Sequence, residues 1–428
     1  MLGAAATWTL PVFLEKTFFA LDALAADAAT QTVTGKDGTI LVVLQMAGGN
    51  DGLNTVIPYG DDAYHVARPR LRFPADQVLK IDSHIALNLK LTGVKSLYDE
   101  GHVAIVQGVG YPNPNRSHFR STEIWQTASD ADRTVSEGWL GRYFDNCCAG
   151  ADPTIGVTIG EGTPQAFAAK NPTGVTFSRP EQFRFQPLEP KNAEMTSEEL
   201  FFRQLNEPAA GDENGSVESN VGGSIGAISG KTKNDLSTLD FLQRIALDAQ
   251  LSSDKILAIA RKYKSSVPYP QGQFAASLNI ISRMIAGGLP TRVYYTSQVG
   301  FDTHAGQINT HQRLMGELND AVAAFVADLK HQGNFERVLL MTFSEFGRRV
   351  QENANGGTDH GTAAPMFVVG GAVKAGLLGK HPSLTDLDQG DLRFNTDFRS
   401  VYGTVLDRWL KAPSETVLGR RFPALGII

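Results

Sequence analysis

The chain has 428 residues, of which 42% are hydrophobic and 20% are charged. Such a composition is that of a globular protein with a large core, and it excludes a disordered or fibrous chain. The net charge is -6, from 39 Lys and Arg against 45 Asp and Glu, without a basic run that could track a phosphate backbone. This balance argues against nucleic acid as a partner.

Residues 1–37 form an apolar, Ala-rich segment before the first predicted strand. Charged side chains interrupt it, so the segment does not predict a transmembrane span. Its apolar residues recur at helical spacing, which leaves two interpretations open: an N-terminal helix docked on the domain, or the remnant of a targeting signal. No clear intact signal peptide is present, and a twin-arginine signal would have to lie upstream.

From residue 38 onward, short apolar runs alternate with longer stretches of helical periodicity. The apolar runs predict buried strands at Thr39–Met46, Val103–Val109, Thr154–Ile159, Arg292–Ser297, Arg337–Phe343 and Pro365–Val369. The periodic stretches predict helices at Asn115–Ala128, Leu236–Tyr263, Phe274–Ala286, Ile308–His331 and Asp397–Leu410. This order indicates one α/β domain over residues 38–428, with a mainly parallel central sheet and helices on both faces.

The domain is predicted to carry an insertion at about residues 185–270. Its central part, Glu207–Lys233, is rich in Gly, Ser, Asn and Asp and poor in apolar residues. Such a composition is typical of a long surface loop.

Chemically active side chains follow the predicted strands, and ligands of parallel sheets lie at the carboxyl ends of strands. The first is Asp51, in a glycine-rich turn, where it can act as a hard oxygen ligand of a metal ion or simply form an Asx turn. The second is Ser117, in the first turn of a predicted helix. Backbone N–H groups and the helix dipole there favour an anion or an attacking alkoxide, and Arg116 or Arg120 could bind a phosphate or sulfate group. A plain N-cap role explains Ser117 equally well.

Three further clusters beside strands supply acidic or imidazole side chains in glycine-containing turns. They provide oxygen and nitrogen ligands suited to a Zn-type centre, with an arginine available for an anionic group. Their candidate residues are Asp302, His304, Glu345, Arg348, Asp359 and His360.

The remaining aromatic and imidazole side chains that we considered are predicted to have packing or surface roles. The histidines in this group are His65, His84, His102, His311, His331 and His381. Trp125 and Trp139 lie in helical patterns and are predicted to be core residues. Cys147 and Cys148 are chain neighbours, a spacing that disfavours a disulfide and does not indicate a compartment.

Taken together, the motifs resemble the bacterial domain-of-unknown-function family 1501, from about Leu41 to the C-terminus. The runs that carry the resemblance are Gly-Gly-Asn-Asp-Gly-Leu-Asn54, Asn-Arg-Ser-His-Phe119, Phe-Asp-Thr-His304, Phe-Ser-Glu-Phe-Gly-Arg348, Gly-Thr-Asp-His-Gly361 and Asp-Phe-Arg-Ser-Val-Tyr402. That family is grouped with the alkaline phosphatase and sulfatase superfamily. The resemblance therefore implies an alkaline-phosphatase-like three-layer sandwich and export to the periplasm or cell envelope.

The resemblance also implies roles for single residues. Ser117 resembles the nucleophile, and the residues that resemble metal ligands are Asp51, Asp302, His304, Glu345 and His360. Two features depart from the superfamily pattern: Phe346 stands where a phosphatase has His, and the Asp302 to His304 spacing is short. Either one or two ions are therefore expected. A standard sulfatase is disfavoured because the Cys/Ser-x-Pro-x-Arg segment is missing.

The leading hypothesis is hydrolysis of a phosphate or sulfate ester of a small molecule or glycan. It uses one or two divalent ions, Zn before Mn, Ca or Mg, with Ser117 as nucleophile and Arg116 or Arg348 neutralising the transferred group. The alternative is a non-catalytic envelope protein whose degenerate site, marked by Phe346, binds a glycan or a protein partner. A serine esterase built on Ser83 fits worst, because that serine does not precede the Gly-Asn-Asp block.

Overall fold

The computed structural model describes residues 38–149, 151–171, 173–183 and 252–428. The predicted N-terminal segment 1–37 and the predicted loop Glu207–Lys233 lie outside these residues. So do most of the insertion and most of the predicted helix Leu236–Tyr263, of which residues 252–262 are described and helical.

Three sheets make up the β-structure of the described residues, and the largest has nine strands. The strands are β1 (Ile40–Ala47), β2 (Val56–Ile57), β3 (Val78–Lys80), β4 (Ala86–Asn88), β5 (Val103–Gly110), β6 (Gly156–Ile159), β7 (Val175–Phe177), β8 (Val293–Val299), β9 (Val338–Phe343), β10 (Ala364–Gly370), β11 (Gly376–Leu378), β12 (Leu387–Asp388), β13 (Asp391–Leu392) and β14 (Thr396–Asp397). The large sheet has the order β11-β5-β10-β9-β1-β8-β6-β7, and β14 pairs with β5.

Parallel pairing dominates this sheet. β1 lies between β8 and β9, with Leu41 opposite both Val293 and Leu339. β10 runs antiparallel to its two neighbours, β5 and β9. All six predicted strands are present. The mainly parallel sheet is therefore confirmed, with β10 as its antiparallel member.

Helices cover both faces of the sheet. They are α1 (Gly52–Thr55), α2 (Asp62–Ala67), α3 (Thr92–Asp99), α4 (His118–Thr127), α5 (Trp139–Cys147), α6 (252–262), α7 (Gln273–Ala286), α8 (Gln307–His331), α9 (Phe398–Thr404, continued by a π-helical turn Val405–Leu410) and α10 (Ser414–Leu418). One face packs against α3, α6, α7 and α8, and the other against α4, α5, α9 and α10.

The central strand β1 explains why the sheet is covered on both sides. Val42 and Leu44 point into one core, while Leu41 and Val43 point into the other, and none of the four is exposed. An uninterrupted apolar run of this kind is buried on two faces. The predicted three-layer α/β architecture is thus confirmed, and Trp125 lies in the second core as expected.

The predicted helix Asn115–Ala128 begins later than expected. α4 starts at His118, and Ser117 has the extended backbone of an N-cap residue (φ -81°, ψ 129°). The side chain of Asn115 accepts a hydrogen bond of 2.8 Å from the Ser117 backbone N–H, an Asx turn that replaces the first helical turn. Within the described residues, no helix has both the length and the apolar character needed to cross a membrane.

Candidate metal centre

The loops that follow β1, β8 and β9 lie side by side at the carboxyl edge of the sheet. Gly48 makes their close approach feasible, because it has a φ of 119° and a Cβ atom there would lie 2.4 Å from the backbone nitrogen of Asp302. Only glycine tolerates that conformation without strain. The glycine-rich turn after β1 therefore brings the Asp302 loop close to the end of β9.

Four side chains converge at this edge, and we call them the histidine cluster: His118, Asp302, His304 and His360. The Oδ1 atom of Asp302 lies 3.1 Å from Nε2 of His304, 3.3 Å from Nε2 of His360 and 3.5 Å from Nε2 of His118. Ligand atoms of His118, Asp302 and His360 all lie within 4.8 Å of one another. One carboxylate oxygen thus faces three imidazole nitrogens.

The hydrogen bond behind His360 defines how its ring can act. Its Nδ1 lies 2.8 Å from the backbone carbonyl oxygen of Arg116. Because a carbonyl only accepts, Nδ1 carries the proton, and Nε2 of the neutral ring presents a lone pair to Asp302. Nε2 of His304 lies 2.9 Å and Oδ1 of Asp302 lies 3.3 Å from this nitrogen, and a cation among the three atoms would stabilise the arrangement.

His118 is held in the same way. Its Nδ1 lies 2.9 Å from Oε1 of Glu345, while its Nε2 is buried and has no hydrogen-bond partner. A carboxylate behind the far nitrogen fixes the tautomer and the orientation of histidines that bind metals. A buried nitrogen without a partner is costly unless something binds it.

The donor set also suits a divalent ion in charge and spacing. Partial burial acts to raise the pKa of Asp302, but the hydrogen bond and the positive charge of Arg348 lower that pKa to about 2, so the group is ionised at neutral pH. Zn–N bonds of about 2.05 Å in a tetrahedral site put ligand atoms about 3.3 Å apart. The separations of 3.1 to 3.5 Å around Asp302 match that value.

Two residues that were predicted as metal ligands, Glu345 and Asp359, lie next to the Nδ1 atoms of histidines in the cluster. Oε1 of Glu345 accepts hydrogen bonds from the Gly48 backbone N–H and from His118, and its Oε2 is buried without a hydrogen-bond partner. Oδ1 of Asp359 lies 3.3 Å from Nδ1 of His304. Both carboxylates therefore orient imidazole rings in this structure.

Asp51 lies apart from the cluster, in a buried ion pair. Its Oδ2 is 2.6 Å from the guanidinium of Arg68, both side chains have no exposed area, and Gln307 donates a further hydrogen bond. Burial acts to raise the pKa of Asp51, and the charge and hydrogen bond of Arg68 outweigh it, so the pKa lies below its ordinary value. An arginine thus neutralises the carboxylate, while its other oxygen, Oδ1, is buried without a hydrogen-bond partner.

Ser117 and Arg116 lie beside the cluster. Ser117 is exposed, is the immediate chain neighbour of His118, and its side chain makes no capping hydrogen bond to α4. The side chain of Arg116 is 35% exposed, and its guanidinium is paired with the buried carboxylate of Asp391. Ser117 is therefore open to solvent, while Arg116 is partly committed to its ion pair.

Arg348 is placed differently from its predicted role as an anion clamp. Its side chain has no exposed area, and it donates to Asp302 and to four backbone carbonyl groups. Those carbonyls belong to Gly48, Gly49, Phe301 and Thr358. The guanidinium ties the loops together and has its donors engaged within the protein.

The position of His360 depends on a short antiparallel ribbon. Gly361 donates to Gly347 at 2.8 Å, and Gly347 donates to Thr362 at 2.7 Å. The ring of Phe346, next to this ribbon, packs 4.5 Å from the His360 ring and 4.9 Å from the His118 ring, measured between centroids. Phe346 thus forms an apolar wall of the cluster.

The sequence analysis gave no role to His118, although the Asn-Arg-Ser-His-Phe run contains it. The groups predicted to act at that helix start were the hydroxyl of Ser117 and the neighbouring arginines. His304 was identified because it closely follows a strand, whereas His118 begins α4, and its pairing with Glu345 has no signal in the local sequence.

The fold and the site define an α/β protein with a candidate metal centre at the carboxyl edge of its sheet. Residues 226–404 match the model of DUF1501, a protein of unknown function. The family resemblance is confirmed over that stretch, which is less than half of the chain. No curated protein matches the sequence.

Solved structures similar to the chain include three enzymes or superfamily members. The lipoteichoic acid synthase LtaP from Listeria monocytogenes is 8% identical, with a TM-score of 0.35, covering 83% of this chain and 71% of that one. The PsFucS1 sulfatase from Pseudoalteromonas sp. is 11% identical, with a TM-score of 0.38, covering 91% and 70%. A protein in the alkaline phosphatase superfamily from Vibrio parahaemolyticus is 8% identical, with a TM-score of 0.34, covering 82% and 64%.

Proposed function

We propose that the chain is a metal-dependent hydrolase of phosphate or sulfate esters. The observation that carries this proposal is the orientation of His118 and His360. Each ring has an acceptor behind its Nδ1 and turns Nε2 toward the ionised Asp302. Such a pair of preset lone pairs beside a carboxylate is what a divalent ion requires.

The residues that would hold the ion are His118, Asp302 and His360, with His304 as a further donor. Three imidazoles and one carboxylate favour Zn over Mn, Ca or Mg. One ion is proposed, because the carboxylate of Asp51 is already neutralised by Arg68. Once bound, the ion would supply Lewis-acid polarisation of an ester oxygen.

Ser117 is the proposed nucleophile. Its hydroxyl is exposed at the start of α4, where the first backbone N–H groups have no helical partners and can bind an anionic group. Attack by Oγ on phosphorus or sulfur breaks the ester bond and releases the alcohol. Water then hydrolyses the serine ester and returns the hydroxyl.

Charge on the transferred group needs a cation near Ser117. Arg116 is the candidate, because its side chain is partly exposed whereas that of Arg348 is buried. Arg116 also contributes its carbonyl oxygen to His360. Export to the cell envelope is part of the proposal and rests on the family resemblance.

The first test is metal content by elemental mass spectrometry after loading with zinc and removal of excess. We expect about one equivalent in the wild type and a loss in Asp302→Ala and in His360→Ala. His84→Ala is the matched control, because His84 is exposed, lies in the connection between β3 and β4, and is not one of the cluster residues. Equal zinc in all four proteins would contradict the centre.

The second test is turnover of 4-nitrophenyl phosphate and 4-nitrophenyl sulfate. We expect Ser117→Ala to lose turnover while it keeps its zinc, because the hydroxyl is not among the proposed ligands. Zinc binding without turnover of either ester by the wild type would favour the non-catalytic alternative. One observation favours that alternative: Phe346, which is buried, stands where the family resemblance predicts a His in a phosphatase.

A further inference from the structure

We propose that a cleft beside the histidine cluster binds a sugar ring of the substrate. The cleft lies between the loop that precedes α4 and the β12–β13 hairpin, and we call it the hairpin cleft. Its volume is about 200 Å³. Its lining includes Tyr111, Asn113, Asn115, Phe346, Asp388 and Phe394.

The hairpin cleft adjoins the proposed centre through one aromatic ring. Phe346 lines the cleft and also packs against the rings of His118 and His360. Asn115, another lining residue, binds the backbone N–H of Ser117. A ring held in the cleft could therefore carry its ester group past Phe346 toward the serine and the imidazoles.

The walls are held in place by the protein. The hydroxyl of Tyr111 is 2.7 Å from that of Ser121 and accepts from the Asn115 backbone N–H at 3.1 Å. Phe346 is wedged so closely that a Cβ atom on Gly49 would lie 2.3 Å from its ring. A preformed site loses little free energy to ordering when a ligand enters.

The lining chemistry fits a neutral polyhydroxylated ring. Aromatic faces suit the C–H face of a sugar, while the amide of Asn113 and the carboxylate of Asp388 can bond hydroxyl groups. Arg393 also lines the cleft and is the one cation of its lining, as Asp388 is the one carboxylate. Because these two charges balance, the lining as a whole suits a neutral ring.

This inference deepens the proposed function. Only the statement that the bound sugar carries an ester rests on that function, and the ester group would lie outside the cleft. The cleft itself requires no metal. Sugar binding can therefore be measured on protein without metal, and its failure can be told apart from a failure of the metal centre.

The experiment is saturation-transfer NMR on the full chain with a panel of methyl glycosides of glucose, galactose, N-acetylglucosamine and rhamnose. It is run on metal-free and zinc-loaded protein, and on Asp302→Ala. We expect saturable binding of at least one glycoside in all three samples, with competition among the glycosides that bind.

The test variant is the double substitution Asn113→Gly with Asp388→Ala. Asn113 has a φ of 55°, so glycine fits its backbone without strain while the amide is lost. The matched control is Gln389→Gly with Asp76→Ala, because Gln389 also has a positive φ (51°), Asp76 is exposed, and neither residue lines the cleft. We expect the test variant to bind about tenfold more weakly, and the control to be unchanged.

Two results would overturn the proposal: no saturable binding of any glycoside, or equal affinity in the test variant and the control. Glycoside binding by a protein that takes up no zinc would support the cleft and contradict the metal centre. Zinc uptake without glycoside binding would support the metal centre and contradict the cleft.

Discussion

The buried pair of Asp51 and Arg68 gives the sharpest test of how the site is built. Asp51→Asn keeps the shape of the side chain and removes its charge, which leaves the guanidinium of Arg68 buried without a counter-ion. Breaking one partner of a buried pair costs about 3 to 5 kcal/mol. We expect the lower end, because Arg68 also donates to Asn54 and to the carbonyls of Val350 and Arg349.

The effect should depend on pH in a known direction. The folded-state pKa of Asp51 is depressed, so its stabilisation is present in full above the unfolded-state pKa of about 3.9 and is lost as the pH falls through the folded-state value. The difference in free energy of unfolding between wild type and Asp51→Asn should therefore be largest near neutral pH and should shrink below about pH 4.

The assay is urea unfolding followed by tryptophan fluorescence and circular dichroism, in the presence of a chelator so that metal binding does not contribute. Asp76→Asn, at an exposed position, is the control and should change the unfolding free energy by less than about 0.5 kcal/mol. Zinc content is measured in parallel. An Asp51→Asn protein that unfolds like the wild type but no longer takes up zinc would refute the structural role and restore Asp51 as a metal ligand.

Three further outcomes are expected. Glu345→Gln should weaken zinc binding about 10- to 100-fold in a competition titration, because it removes the charge behind His118, and unchanged affinity would count against that orienting role. Gly48→Ala should lower both the melting temperature and the zinc content. Gly356 also has a positive φ but faces open space, so Gly356→Ala should lower the melting temperature alone. The same zinc content in both variants would contradict the close approach at Gly48. Phe119→Ala should leave the melting temperature unchanged because that side chain is 91% exposed, and a clear drop would mean that Phe119 is packed.

Strand positions and sheet layers were predictable because each central strand is a continuous apolar run. The antiparallel direction of β10 was not, since Pro365–Val369 has the same apolar character as a parallel strand. Direction is decided by the connection, here the short ribbon that follows β9. Periodicity carries no information on that point.

The candidate site was predictable where a residue directly follows a strand, as for Asp302 and His304. Partners recruited from elsewhere were not predictable. Arg68 reaches Asp51 from the end of α2, and the pairing of His118 with Glu345 requires the start of α4 to lie across the end of β9. Such pairs depend on the packing of layers, which no local pattern contains. Whether the cluster binds a metal stays a prediction.

The donors of the histidine cluster come from three distant parts of the chain, with His118 before β6, Asp302 after β8 and His360 just before β10. An unfolded chain therefore has no metal site, and an ion can bind only after these segments have come together. The affinity of such donors for divalent metal ions rises along the series from Mn to Cu. The ion taken up therefore depends on which metals are available when the chain folds. The compartment in which folding is completed would then determine which metal the mature protein carries.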